Sequence, residues 1–169
     1  MCDRKLLPRP AEPSNSWAST PAVRSVMRAN RRKDTRPELA LRSAIRAHGL
    51  LRYRVDMQPL PHVRRKADVV FVGPRVAVFC DGCYWHGCPD HYRPAQKNSD
   101  FWTSKIVGNR ARDRETDQLL TDAGWRVIRI WEHEDPELAA ARVAAAVSTG
   151  RSGRTPRLNE PPTVRNPEQ

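Results

Sequence analysis

Between positions 80 and 91 the chain reads Cys-Asp-Gly-Cys-Tyr-Trp-His-Gly-Cys-Pro-Asp-His, three cysteines and two histidines in twelve residues. Thiolate and imidazole are the donors that hold Zn²⁺ tetrahedrally, and spacing this short lets one loop wrap the ion. Two registers compete. One is local, Cys80-x2-Cys83 with Cys88-x2-His91. The other joins Cys83, Cys88 and His91 to the distant His133. The second is preferred, because Cys80 ends an apolar run where a buried structural cysteine is common. A zinc that ties the loop to distant chain also explains how a long irregular segment stays ordered. A thioredoxin-like pair at Cys80 and Cys83 lacks the helix expected directly after it.

The harder donors lie on either side. Asp68 stands inside Ala-Asp-Val-Val-Phe, and Asp81 follows the next apolar run. Strand interiors disfavour Asp. Across a hairpin two such carboxylates can approach each other, and with water they suit Mg²⁺ better than Zn²⁺. Mg²⁺ neutralises phosphate charge and helps generate hydroxide for an in-line attack. The plainer reading of each is a turn cap or a surface ion pair. Asp113 shares a helical stripe with Ile106 and Leu120, seven residues to either side. A carboxylate on that side needs a cation, a metal-bound water or a histidine, an arginine pair being the plainer alternative. His86, free in the preferred zinc register, is placed to act as general acid or base. The competing reading makes it a zinc ligand in place of His133. Tyr84, Trp85 and Trp102 are candidates to stack on bases or wedge between base steps, with core packing as the alternative. Trp125 and Trp131 read as core.

Periodicity gives the elements that must position these groups. Thr35-x-x-Glu38 fits a capping box and Pro37 a first helical turn. Leu41, Ala44, Ile45 and His48 share one face, and Gly49 stops the helix. Strict alternation follows, with Leu51, Tyr53, Val55 and Met57 against Arg52, Arg54 and Asp56, which predicts a half-buried strand. Ala67–Val72 and Arg75–Cys80 predict two central strands joined at Gly73-Pro74. Residues 81–98 are irregular. A long helix is expected from Ser99 to Ala123, stopped at Gly124, then a strand over Trp125–Trp131. Asp135-Pro136-Glu137 then caps an alanine-rich helix that reaches Val147. The order α-β-β-β-α-β-α describes a mixed α/β domain.

Residues 1–23 and 148–169, rich in proline and polar residues, read as disordered tails around a folded domain at 24–147. The formal net charge of +11 favours a polyanionic partner, most simply nucleic acid, over the alternative of an arginine-rich proteome. The arginine-rich segment 24–36, containing Arg28, Arg31 and Arg32, reads as a basic arm along DNA, or else a solvated linker. No run approaches the ~18 apolar residues of a membrane span. The N-terminus lacks a signal-peptide core, so the protein is read as cytosolic, where clustered cysteines suggest metal before disulfide.

Taken in order, four stretches resemble the very short patch repair (Vsr) endonucleases in sequence and spacing. They are Lys-Ala-Asp68-Val-Val-Phe; Val-Phe-Cys-Asp-Gly-Cys-Tyr-Trp-His-Gly-Cys-Pro; Asp-Phe-Trp-x2-Lys-Ile-x2-Asn-x3-Asp113-Arg; and Gly-Trp-Arg-Val-x-Arg-Ile-Trp-Glu-His. Met27-Arg-Ala and Asp-Thr-Arg-Pro-Glu38 match upstream. The resemblance implies a restriction-endonuclease-like (PD-(D/E)XK-type) fold with a structural zinc. It implies Mg²⁺-dependent nicking of one strand, 5′ of the thymine in a T:G mismatch left by deamination of 5-methylcytosine. By motif position, Asp68 resembles the metal-binding aspartate, His86 the catalytic histidine and Asp113 the acid acting through metal-bound waters. Glu38 resembles a glutamate near the active site. Tyr84, Trp85 and Trp102 resemble the aromatics that wedge into DNA, and Met27 a residue of the arm from the opposite groove. Cys83, Cys88 and His133 fall on zinc-ligand positions, and the third ligand is shifted by one residue, to His91. Cys80 and Asp81 stand where the best-known members carry Thr and His. Cys80 would contact Mg²⁺ through its backbone carbonyl, and Asp81 would add a carboxylate. The family also implies a mismatched duplex as partner, recruitment by a MutL-type repair protein, a monomer, and a bacterial, nucleoid-associated setting. Two other functions compete: a relaxed or restriction-type endonuclease on this fold, and a non-catalytic zinc-stabilised DNA-binding module.

Overall fold

A computed structural model describes residues 33–152. Met27, Arg28, Arg31 and Arg32 of the expected arm lie outside the described residues, as do the first tail and all but the start of the second.

The chain runs α1 (Arg36–Ala47), β1 (Arg54–Met57), β2 (Ala67–Phe71), β3 (Val76–Asp81), α2 (Ser99–Asp122), β4 (Arg126–Trp131) and α3 (Pro136–Ser152). The strands form one sheet in the order β1-β2-β3-β4, a mixed α/β arrangement. β1, β2 and β3 are antiparallel neighbours. β4 lies parallel to β3, a pairing that needs a crossover, here carried by α2.

Helices cover both faces. Alternate residues of β2 and β3 (Val69, Phe71, Val76, Val78) pack with Leu41, Ala44 and Ile45 of α1 and with Ala139, Ala140, Val143 and Val147 of α3. Val70, Ala77 and Phe79 face Leu120 of α2 and Trp125 on the other side. This two-sided burial is why β2 and β3 read as continuous apolar runs rather than alternating ones.

Three expectations change. The first strand is shorter than the alternation suggested, and Leu51 is 71% exposed. Its register with β2 sets Arg54 against Val70, so Leu51 would lie beyond the end of β2 at Phe71, where nothing remains to pair with. His48 is exposed, pairing with Glu137 at 3.5 Å instead of joining the apolar face. The last helix passes Val147 to Ser152. The Thr149 hydroxyl bonds back to the Ala145 carbonyl at 3.1 Å. Gly150 stands so close to the β2–β3 turn that a Cβ would meet the Pro74 carbonyl at 2.6 Å, so a residue that looks like a helix breaker serves a close approach.

Candidate active site and metal centre

The segment after β3 folds back on itself through backbone bonds from His86 N to Gly82 O, from Cys88 N to Cys83 O and from Tyr92 N to Cys88 O. Two side chains pin it from outside. Glu132, just past β4, accepts the Cys83 amide at 2.7 Å. Asn109 of α2 donates to the Trp85 carbonyl at 2.7 Å. Gly87 has φ +63°, and a Cβ there would stand 2.9 Å from Ile106 Cγ2. Only glycine lets the loop sit this close to α2.

Cys83, Cys88, His91 and His133 converge so that their ligand atoms all lie within 4.8 Å of one another. Cys83 Sγ is 3.0 Å from His133 Nδ1, and Cys88 Sγ is 3.8 Å from the Nδ1 atoms of both histidines. Ligand atoms around a tetrahedral Zn²⁺, with bonds of about 2.0–2.3 Å, stand roughly 3.3–3.8 Å apart, so the four residues fit such an ion. Burial, then the neighbouring Cys88 thiol, pushes the Cys83 thiol up to about 12. A thiolate pair in this place therefore needs a cation. Cys80 stands outside the group, on β3, and burial, reinforced by Asp68, pushes its thiol up to about 12. Of the two registers, the four-residue set with His133 is the one brought together, and His86 is not in it.

The acids gather at the neighbouring end of the sheet. Asp68 Oδ2 accepts the Cys80 amide at 2.7 Å, just beyond the last β2–β3 pair, Val69 with Val78. Its Oδ1 has no hydrogen-bond partner among the described residues. Burial outweighs the Cys80 bond, and Glu38, Asp81 and Asp56 add negative charge, so Asp68 titrates at about 6. A half-buried carboxylate among acids, with one oxygen open, fits a hard cation such as Mg²⁺. Glu38 is buried in a modified capping box. Its carboxylate accepts the Asp34 amide at 2.9 Å and the Thr35 hydroxyl at 2.8 Å. It faces Asp68 only through its charge.

Asp81, expected beside Mg²⁺, is held by a cation of the protein itself. It is 5% exposed, and Arg129 Nη1 donates to both its oxygens, at 2.8 and 2.9 Å. Burial pushes Asp81 upward, and Arg129 is the first charge opposing that. Arg129 also holds Asp117 through Nε and reaches Asp113 Oδ1 at 3.3 Å. Asp113 Oδ2 in turn lies 2.7 Å from His86 Nδ1. Burial pulls the His86 imidazole down, but the Asp113 bond and the charges of Asp81 and Asp113 more than reverse this. Burial likewise opposes the ionised Asp113, and His86 and Arg129 more than offset it. The helical stripe thus delivers Asp113 to a histidine partner, with Ile106 and Leu120 buried on either side.

Sequence reasoning missed Arg129, Glu132 and Asn109. A signal existed for the first. Arg129 follows Val127 by two on β4 and so shares its apolar side, where an arginine needs a partner.

Tyr84, Trp85 and Trp102 touch one another with ring centroids 5.3–5.8 Å apart, and Tyr92 extends the group. Trp102 is buried, whereas Tyr84 and Trp85 are half-buried. The cluster therefore leaves Tyr84 and Trp85 partly open to solvent, with Trp102 behind them. Trp131, read as core, instead lies parallel to His133. No helix among the described residues is long and apolar enough to cross a membrane.

The family model "DNA mismatch endonuclease Vsr" matches residues 18–93. The chain is 50% identical over 119 residues to the type II nicking enzyme V.NaeI of Lentzea aerocolonigenes, covering 69% of this chain and 71% of that protein. It is 39% identical over 119 residues to V.XorIIP of Xanthomonas oryzae pv. oryzae, covering 69% and 84%. It is 37% identical over 108 residues to the DNA mismatch endonuclease Vsr of Escherichia coli, covering 63% and 66%. Together with the site, these matches lead to one conclusion: the chain belongs to the Vsr family of DNA mismatch endonucleases.

Proposed function

We propose that this protein nicks one strand of duplex DNA 5′ of the thymine in a T:G mismatch, with Mg²⁺ for chemistry and Zn²⁺ for structure, on a restriction-endonuclease-like fold. The observation that carries the reading is the 2.7 Å contact between His86 Nδ1 and Asp113 Oδ2. It fixes the imidazole through one nitrogen and leaves Nε2 to take a proton from the attacking water or give one to the leaving oxygen. Asp68 and the Cys80 backbone carbonyl would hold Mg²⁺. Once bound, the ion neutralises phosphate charge and lowers the pKa of water. Cys83, Cys88, His91 and His133 would hold Zn²⁺, which locks the loop that carries His86, Tyr84 and Trp85. Tyr84 and Trp85 would stack beside the mismatch, backed by Trp102. Met27, Arg28, Arg31 and Arg32 would follow the phosphates from an N-terminal arm. Glu38 would add negative charge beside Asp68.

Type II nicking enzymes among the relatives favour a nick over a double-strand cut. A non-catalytic module has no need of a histidine held this way. Monomeric action in the bacterial cytoplasm near the nucleoid, and recruitment by a MutL-type protein, belong to the same proposal and rest on the family resemblance. The test uses two end-labelled duplexes that differ only in one T:G pair, with Mg²⁺ present. The expected result is one nick, in the thymine strand of the mismatched duplex. Equal cutting of the matched duplex would establish the relaxed endonuclease instead, and binding without cutting would establish the module.

A further inference from the structure

We propose that Arg129 is the positioning residue of this site, aiming Asp113 at His86 and withdrawing Asp81 from the metal's ligands. The inference rests on the endonuclease reading above and assigns its unexplained charge cluster.

Arg129 enters from β4. The parallel register sets it beside Phe79 and sets Asp81 beside Trp131. Its guanidinium carbon lies over the Phe79 ring, 4.8 Å from the centroid, so the ring supports the charged group from one side. All three nitrogens then have carboxylate partners. Nε meets Asp117 at 3.0 Å, Nη1 meets Asp81 at 2.8 Å, and Nη2 meets Asp113 Oδ1 at 3.3 Å. Nη2 pairs with Oδ1 and also donates to the Asp113 main-chain carbonyl at 3.4 Å, so it holds both the backbone and one oxygen of Asp113 while the other oxygen meets His86 Nδ1. His86 Nδ1 is also 3.6 Å from Asp81 Oδ1, so Asp81 closes the same ring of charges. Asp81 has both oxygens engaged by one charged nitrogen, Nη1. Asp68 keeps one oxygen open.

Outer partners of this kind typically contribute about 10–100-fold to activity. Lysine keeps the charge but cannot make the fork. In single-turnover nicking of the mismatched duplex, Arg129→Met should lower the rate about 100-fold and Arg129→Lys about 10-fold, with duplex affinity unchanged within a few-fold. Asp81→Asn added to Arg129→Met should cost little more, because both act through one arrangement. Manganese binding to the same proteins, followed by electron paramagnetic resonance, reads the metal site without turnover. Asp81→Asn should bind Mn²⁺ within about two-fold of wild type, whereas Asp68→Asn should lose it.

Arg129→Lys nicking at the wild-type rate would overturn the positioning role. A more than ten-fold loss of Mn²⁺ affinity in Asp81→Asn would overturn the withdrawal of Asp81. Should Arg129→Met fail to fold, Arg129→Lys and Asp81→Asn carry the test alone. A wild-type protein that does not nick sinks the endonuclease reading itself, an outcome distinct from either of these.

Discussion

The Cys/His centre and the acid end of the sheet share one loop but follow opposite rules. In the first, four donors from two distant stretches turn toward a common point. In the second, the acids are divided. Asp68 keeps an oxygen open, Asp113 is given to His86, and Asp81 to Arg129. A structural ion is best served by a closed donor set, whereas a hydrolytic site needs one open position and fixed neighbours. His86 stands at the boundary, two residues from Cys88 in sequence and bonded to Asp113 in space.

The largest effect should come from the closed side. Cys88→Ser should lose about one Zn²⁺ per chain and, with it, the loop that carries His86, so nicking should fall below detection. Elemental analysis reads the first and the duplex assay the second. Retained zinc would break the four-ligand set. Next comes the boundary. His86→Ala should lower the nicking rate by about 10²–10⁴-fold while zinc content and duplex affinity hold. Loss of zinc in that variant would move His86 into the soft centre.

How far this division could be read from the sequence depended on the kind of interaction. The soft donors announce themselves, because Cys and His in twelve residues have few uses. The helices and the two central strands announce themselves through period and continuous apolar runs. What stayed hidden was pairing across the fold. Asp81 looks like a second metal ligand until Arg129, 48 positions away, is seen gripping it. Nothing local to either residue states that partnership, since it depends on the β3–β4 register. Leu51 failed for a similar reason: alternation shows that a segment can be a strand, not whether a neighbour is there to pair with it. Glu38 was legible as a cap from its spacing, whereas its charge near Asp68 was suggested only by the family resemblance.

Smaller effects sharpen the open side. With no Mg²⁺ added, ionised Asp68 costs stability because its folded pKa is about 6, against an ordinary 3.8. The raised value makes the sign clear: the protein is most stable below the unfolded pKa and loses stability as pH rises through about 6. Asp68→Asn removes that loss. It should therefore stabilise the Mg²⁺-free protein at pH 8 by about 3 kcal/mol, with little gain at pH 4. Urea unfolding at the two pH values checks this, and an equal gain at both would show that burial is not the cause. The smallest effect belongs to the aromatic group. Trp85→Ala should weaken mismatched-duplex binding by about 1–3 kcal/mol, read by fluorescence anisotropy. An equal loss on matched duplex would make the ring a general stacking platform.

The central claim is that the two regions hold different metals for different ends. The direct measurement takes wild type and Asp68→Asn, counts zinc per chain in each, and follows T:G-duplex nicking against Mg²⁺ in the same samples. The account predicts about one zinc in both proteins, nicking only in the wild type, and none without Mg²⁺. Zinc loss in Asp68→Asn, or nicking that persists without Mg²⁺, would contradict it.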